Sequence, residues 1–130
     1  MKVLQPSGWP RPKGYSNGIS VTGRLIVTGG TVGWDETEQF VSDTLPSQFE
    51  QALRNIIAIL AEDGAGPEHI VRMTCYVTDI QAYRSSLKEI GEAWKSTIGR
   101  HYPAMALVAV TSLVEPKALI EIEATAVVPK

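Results

Sequence analysis

The chain of 130 residues contains one cysteine, Cys75, and two histidines, His69 and His101. A single thiol excludes an internal disulfide and suits a reducing compartment. The two histidines stand far apart and lack the spacing of metal ligands, so no metal centre is expected. Charge of one sign is also scarce: twelve Lys and Arg against fourteen Asp and Glu leave a net charge of −2. Neither a basic patch nor a basic amphipathic helix stands out, which argues against nucleic acid and membrane surfaces as partners. No apolar run approaches the ~20 residues that cross a bilayer. The opening stretch MKVLQPSGWPRPKGYSNG is rich in Pro and Gly and lacks the apolar core of a secretory signal. A soluble, cytoplasmic protein is the expectation these absences leave. The length fits one domain, residues 1–130, large enough to bury a core without a staple.

What is there reads as alternating strands and helices. Residues 1–18 form an irregular arm. ISVTGRLIVTGG reads as a hairpin, with Thr22-Gly23 as its turn and Gly29-Gly30 at its end. LPSQFEQALRNIIAILAEDGAG is the clearest helix: Phe49, Leu53, Ile56, Ile57 and Leu60 recur at helical spacing. Pro46 suits its first turn, and Gly64 or Gly66 its stop. HIVRMTCYVTD is a strand, with Val71, Met73, Cys75 and Val77 on one face. A second helix spans the stripe Ile80, Tyr83, Leu87, Ile90, Trp94 and Ile98, closed by Gly99. Two strands finish the chain, from Ala104 and from Leu119. The order β-β-α-β-α-β-β predicts an α+β fold with parallel crossovers and both helices on one face of a mixed sheet. The other face is left bare and partly apolar, which predicts an oligomer.

LIEIEATAVV sets Glu121 and Glu123 on one side of the last strand and Ile120, Ile122, Ala124 and Ala126 on the other. The carboxylates then point at the bare face. One of them in a partly closed cleft can orient or activate a water; the plainer alternative is a solvated face, with Arg72 as a salt-bridge partner. Cys75, on an apolar strand face, reads as a buried inert thiol. His101 reads as an exposed loop residue near a strand mouth. The Gly29-Gly30 pair either presents backbone N–H groups to an anion or ends a hairpin. Tyr15 is either a lid residue or a packing contact.

GYSNG, LIVTGG, ILAEDGAG, HIVRMTCYVTD, HYPA and EIEATAVV fall in one order between Tyr15 and Val128 that resembles the RidA (YjgF) family. The resemblance implies a chorismate-mutase-like fold and a homotrimer with a central barrel. It places small-molecule ligand clefts between subunits. It also implies hydrolysis of imines and enamines to keto acids and ammonia, without metal or organic cofactor. It places Tyr15, Gly29 and Glu121 at cleft positions, with Glu121 holding the attacking water. Active members carry PAR, whose arginine grips the substrate carboxylate; here the sequence is PAM, and Met105 stands in its place. Leu107 replaces the common cysteine, and Lys88 matches a cleft asparagine on the second helix.

A thioether offers neither charge nor donor to a carboxylate. The missing charge-assisted pair is worth roughly 1.5–3 kcal/mol, or about one to two decades of affinity. Lys88, Arg72, Arg100 and His101 are the candidate replacement cations. Three functions follow. One is a deaminase for an imine bulkier or less anionic than 2-iminopropionate. Another is a trimeric small-molecule binder without turnover. The third acts through protein or RNA, and the acidic charge balance counts against RNA.

Overall fold

The computed structural model describes residues 1–130. Four strands precede the first helix: β1 (Lys2–Leu4), β2 (Gly18–Ser20), β3 (Gly23–Val27) and β4 (Thr31–Val32). Helix α1 (Leu45–Ala61) follows, then a 3-10 turn (Pro67–His69) and β5 (Ile70–Val77). Helices α2 (Ile80–Arg84) and α3 (Leu87–Thr97) and strands β6 (Ala104–Ala109) and β7 (Ile120–Pro129) complete the chain. The main sheet has the order β3-β7-β5-β6, and β4 continues the β3 edge against β7. This is the α+β architecture expected, with the helices on one face.

Period-two alternation in β7 fixes which side faces the helices. Ile120, Ile122, Ala124 and Ala126 are buried, whereas Glu121 and Glu123 are on the opposite side. The buried side packs on α1 through Phe49, Leu53, Ile56 and Leu60, at the helical spacing read from the sequence. Pro46 occupies the first turn of α1, and Gly64 beyond its end takes φ 73°, which a residue with a Cβ resists. Gln48, the one large polar group in this core, is fully engaged. Its Nε2 donates to the carbonyls of Ser42 and Lys117 at 3.0 Å each, and its Oε1 accepts from Leu119 N–H at 2.7 Å. A buried amide left unpaired would cost ~1–3 kcal/mol; paired, it ties α1 to the segment feeding β7.

Four expectations are corrected. β2 does not form a hairpin with β3: it pairs antiparallel with β1, Val3 opposite Ile19, so the arm is not wholly irregular. β3 takes β7 as its partner instead, Ile26 opposite Ala126. Only β5 and β6 are adjacent parallel strands. β7 inserts antiparallel between β3 and β5, and its ten residues are long enough for its backbone to pair along both edges. The second helix is broken at Ser85-Ser86, where Ser85 Oγ donates back to Ala82 carbonyl, a local bond that competes with helix continuation. Finally, strict alternation along β5 would set Ile70 on the face opposite Met73, but Ile70 is buried with Met73, because a register shift between Ile70 and Arg72 displaces the strand's alternation.

Candidate functional site: two faces of one sheet

Parallel pairing sets Met105 beside Met73 and Leu107 beside Cys75. Met105 and Leu107 therefore lie on the helix side of the sheet, half-buried against the core. β6 is the sheet edge, and α3 does not cover it fully. The gap is a cavity of about 710 Å³ bounded by β6, α3 and the N-terminal arm. Tyr15, Lys88, Met105 and Leu107, four of the six residues singled out in the sequence, line it. Its apolar wall continues through Phe49, Trp94 and Tyr102. The Trp94 ring is stacked 6.4 Å from Phe49 and 6.5 Å from Tyr102, with interplanar angles of 23° and 9°. Trp94 Nε1 donates to His101 carbonyl at 3.2 Å, which fixes the middle ring.

Gly29 and Glu121 lie elsewhere. Glu121 opposes Tyr76 on β5 and Val32 on β4, on the sheet face away from the helices. β5 separates β7 from β6, so the two strands run about 10 Å apart. Glu121 and Met105 thus occupy opposite faces and do not share a cleft within one chain. The glycine with a close neighbour is Gly30: a methyl group there would overlap the Glu121 carboxylate. Gly29 has free space around it and presents its carbonyl to Thr31 Oγ1 at 3.1 Å.

The two carboxylates of β7 differ in their partners. Tyr76 Oη donates to Glu123 Oε1 at 2.7 Å. That bond, then burial and the nearby carboxylates, pushes the Tyr76 hydroxyl above its ordinary pKa. Glu121 is half-buried, and its side chain has no hydrogen-bond or ion-pair partner. Glu121 is therefore the carboxylate available for a water or a ligand. Arg72 forms no ion pair with either glutamate; it shares a smaller cavity of about 230 Å³ with Tyr15 and Met105.

The other candidate cations sort by position. His101 Nε2 sits 2.6 Å from Ile70 carbonyl, so this histidine is anchored to the β5 backbone rather than exposed in a loop. Arg100 lines neither cavity. Lys88 does line the larger one. His69 Nδ1 accepts from Gly66 N–H at 3.0 Å and serves the turn into β5. No three His, Cys, Asp or Glu side chains gather in a metal-binding group, and no helix is long and apolar enough to cross a membrane.

Cys75 is fully buried, and burial pushes its thiol up to about 12. That lowers the thiolate fraction at neutral pH by about three orders of magnitude relative to a free thiol. Dithionitrobenzoate is expected to leave the native protein unlabelled and to titrate one thiol after denaturation. Rapid labelling of the native protein would refute the inert reading.

Residues 10–128 match the family described as endoribonuclease L-PSP. The chain belongs to that family, which includes the RidA proteins. It is similar to a RutC family protein of Pyrococcus abyssi, 35% identical over 120 residues, covering 90% of this chain and 89% of the relative. It is similar also to the 2-iminobutanoate/2-iminopropanoate deaminase of Homo sapiens, 32% identical over 115 residues, covering 87% and 79%. Among solved structures, a conserved Rid family protein of unknown function from Yersinia pestis superposes with a TM-score of 0.86. It is 29% identical, with 98% of each chain covered.

Within this RidA-family fold the sequence reading missed several cavity residues. Lys13 and Lys95 line the cavity with Lys88, as does Gly91. Lys88, Gly91, Glu92 and Lys95 follow i, i+3, i+4, i+7 spacing, which puts them on one helical face. That spacing is legible in the sequence. The apolar stripe of α3 carries the stronger periodic signal, and this polar face lies beside it.

Proposed function

We propose that this protein is a cofactor-independent imine or enamine deaminase acting on a substrate other than 2-iminopropionate, assembled as a homotrimer with ligand clefts between copies. The observation that carries the reading is the placement of Met105 and Glu121 on opposite faces of one sheet. The cavity beside Met105 has an apolar wall but no water-activating carboxylate of its own except Glu92 on the helix. Glu121 has such chemistry but no cavity of comparable size around it. A second copy that brings its Glu121 face to the β6 edge completes both.

The chemistry then runs as follows. Glu121 from a neighbouring copy accepts a proton from water as the oxygen attacks the C=N carbon. That proton passes to the imine nitrogen, giving a carbinolamine. Glu121 then relays the hydroxyl proton to the amine, the C–N bond breaks, and ammonia leaves carrying both protons of the water. A keto acid remains. A carboxylate so placed contributes typically ~10²–10⁴-fold.

The exposed sheet face supports the assembly. Leu25 and Val27 are each 65% exposed there, and Val108 is 44% exposed. Isolated, such a face costs solubility; covered by copies of itself, it stabilises a closed oligomer. Light scattering is expected to give three times the chain mass. Leu25→Asp together with Val27→Asp is expected to dissociate the assembly and abolish any turnover. A wild-type protein that stays monomeric and folded would overturn the composite site.

The activity is tested by generating imines in situ with an amino-acid oxidase and following their loss. Imines from phenylalanine or leucine are expected to be consumed faster than that from alanine. No acceleration with any imine would leave a non-catalytic trimeric binder, the reading favoured by the loss of the arginine at position 105.

A further inference from the structure

The geometry points to a bulky, flat carboxylate as the ligand class of the cavity between α3 and β6, with its anion held by lysines of the helical face rather than by a residue of β6. This deepens the reading above, since it takes the same cavity as the ligand site. Three observations combine.

The first is charge. The chain carries a net −2, yet Lys13, Lys88 and Lys95 converge on this one cavity against a single carboxylate, Glu92. None of the four is in an ion pair. An excess of two positive charges on a concave, partly apolar wall attracts an anion from solution, because the low-dielectric wall focuses the field. Lys88 and Lys95 flank Gly91, where a Cβ would meet nothing within 4 Å. A glycine between two lysines adds no side chain of its own to that stretch of the wall.

The second is size. A volume of about 710 Å³ belongs in the upper part of the range of roughly 300–1,000 Å³ that holds larger organic ligands. A three-carbon imino acid fills only a fraction of it.

The third is shape. The same cavity is lined by the stack of Phe49, Trp94 and Tyr102. Tyr102, at the end of the stack, is 39% exposed. An aromatic ligand can extend such a stack by one ring. Met105 adds a flexible, polarizable contact that adapts to a ring edge. In this position a guanidinium would draw the carboxylate to β6. A thioether leaves β6 to the ligand's apolar body and the anion to α3.

Phenylpyruvate is a stable probe that carries both features without needing turnover. Isothermal titration calorimetry on the intact protein compares it with pyruvate and with methyl phenylpyruvate. Phenylpyruvate is expected to bind at least about tenfold more tightly than either, since one comparison removes the ring and the other the charge. Lys88→Ala and Lys95→Ala are each expected to weaken binding about tenfold, and Lys88→Arg to restore it. These are exposed side chains, so the variants should keep the wild-type melting temperature. Arg72→Ala, across the sheet, is expected to change little.

Equal binding of acid and ester would overturn the proposal, as would equal binding of pyruvate and phenylpyruvate. A loss confined to Arg72→Ala would overturn it too, by moving the anion to the smaller cavity. The absence of any heat at millimolar phenylpyruvate has the same consequence. The deaminase reading fails separately. Lysine-dependent binding without hydrolysis of any imine leaves this inference standing and removes catalysis. Hydrolysis of imines with no preference for acid over ester does the reverse.

Discussion

Met105→Arg is expected to raise hydrolysis of 2-iminopropionate by about one to two orders of magnitude, with the gain mostly in kcat/KM. Met105 lies on an edge strand, half-buried, and lines both the larger and the smaller cavity. Both cavities give a longer side chain space to extend into. A guanidinium there offers two parallel N–H donors to a carboxylate, a geometry that an ammonium on a flexible stem does not reproduce. A small substrate has little apolar surface with which to compensate for a missing anchor. It should gain more than a bulky one, whose ring already contacts the aromatic stack. The imine from phenylalanine is therefore expected to gain less, or to lose, because its carboxylate is drawn away from the lysines. Met105→Leu serves as the control and should leave both rates near wild type. If Met105→Arg folds, assembles and turns over 2-iminopropionate no faster than wild type, the β6 wall is not where this substrate's carboxylate is held.

The same residue shows how much of the site was legible from the sequence. The family resemblance implied cleft positions for Met105, Leu107, Tyr15 and Lys88 together with Gly29 and Glu121, and the first four line one cavity. The alternation in β7 placed Glu121 on the bare face, where it is found. Alternation fixes only which side of its own strand a residue takes. It does not reveal that Met105 on β6 and Glu121 on β7 face opposite sides of the sheet, because that depends on register across β5. The hairpin read at Thr22-Gly23 failed for a related reason. Local turn chemistry was compatible with pairing β2 to β3, but the longer β7 offers β3 five residue pairs. The break at Ser85-Ser86 was obscured by an apolar stripe that persists through both helices. Lys13 comes from the arm and Lys95 from α3, 82 residues apart in sequence and joined only by folding.

Glu121→Gln is expected to lower turnover of the best imine substrate by about two to four orders of magnitude while leaving the oligomer and probe binding nearly unchanged. The substitution keeps size and most hydrogen-bonding capacity but removes the base. Gly30, having no side chain, keeps the space beside this carboxylate open. The Glu121 side chain has no partner to lose, so the variant creates no unpaired buried group. Glu123 is two residues away on the same strand face and is engaged by the Tyr76 hydroxyl at 2.7 Å. Glu123→Gln replaces an acceptor that the Tyr76 hydroxyl can still find in the amide oxygen, and its effect on rate should stay within a few fold. Mixing Glu121→Gln chains with Met105→Asp chains gives the sharpest test of a site shared between copies. Met105→Asp puts a negative charge where the ligand should sit. In a mixed trimer, some clefts combine an intact Met105 with an intact Glu121 from the neighbouring copy, so activity should reappear although each parent is inactive. If mixing restores nothing while mixed trimers demonstrably form, Glu121 and Met105 do not serve one cleft, and the carboxylate belongs to the sheet's structure rather than to its chemistry.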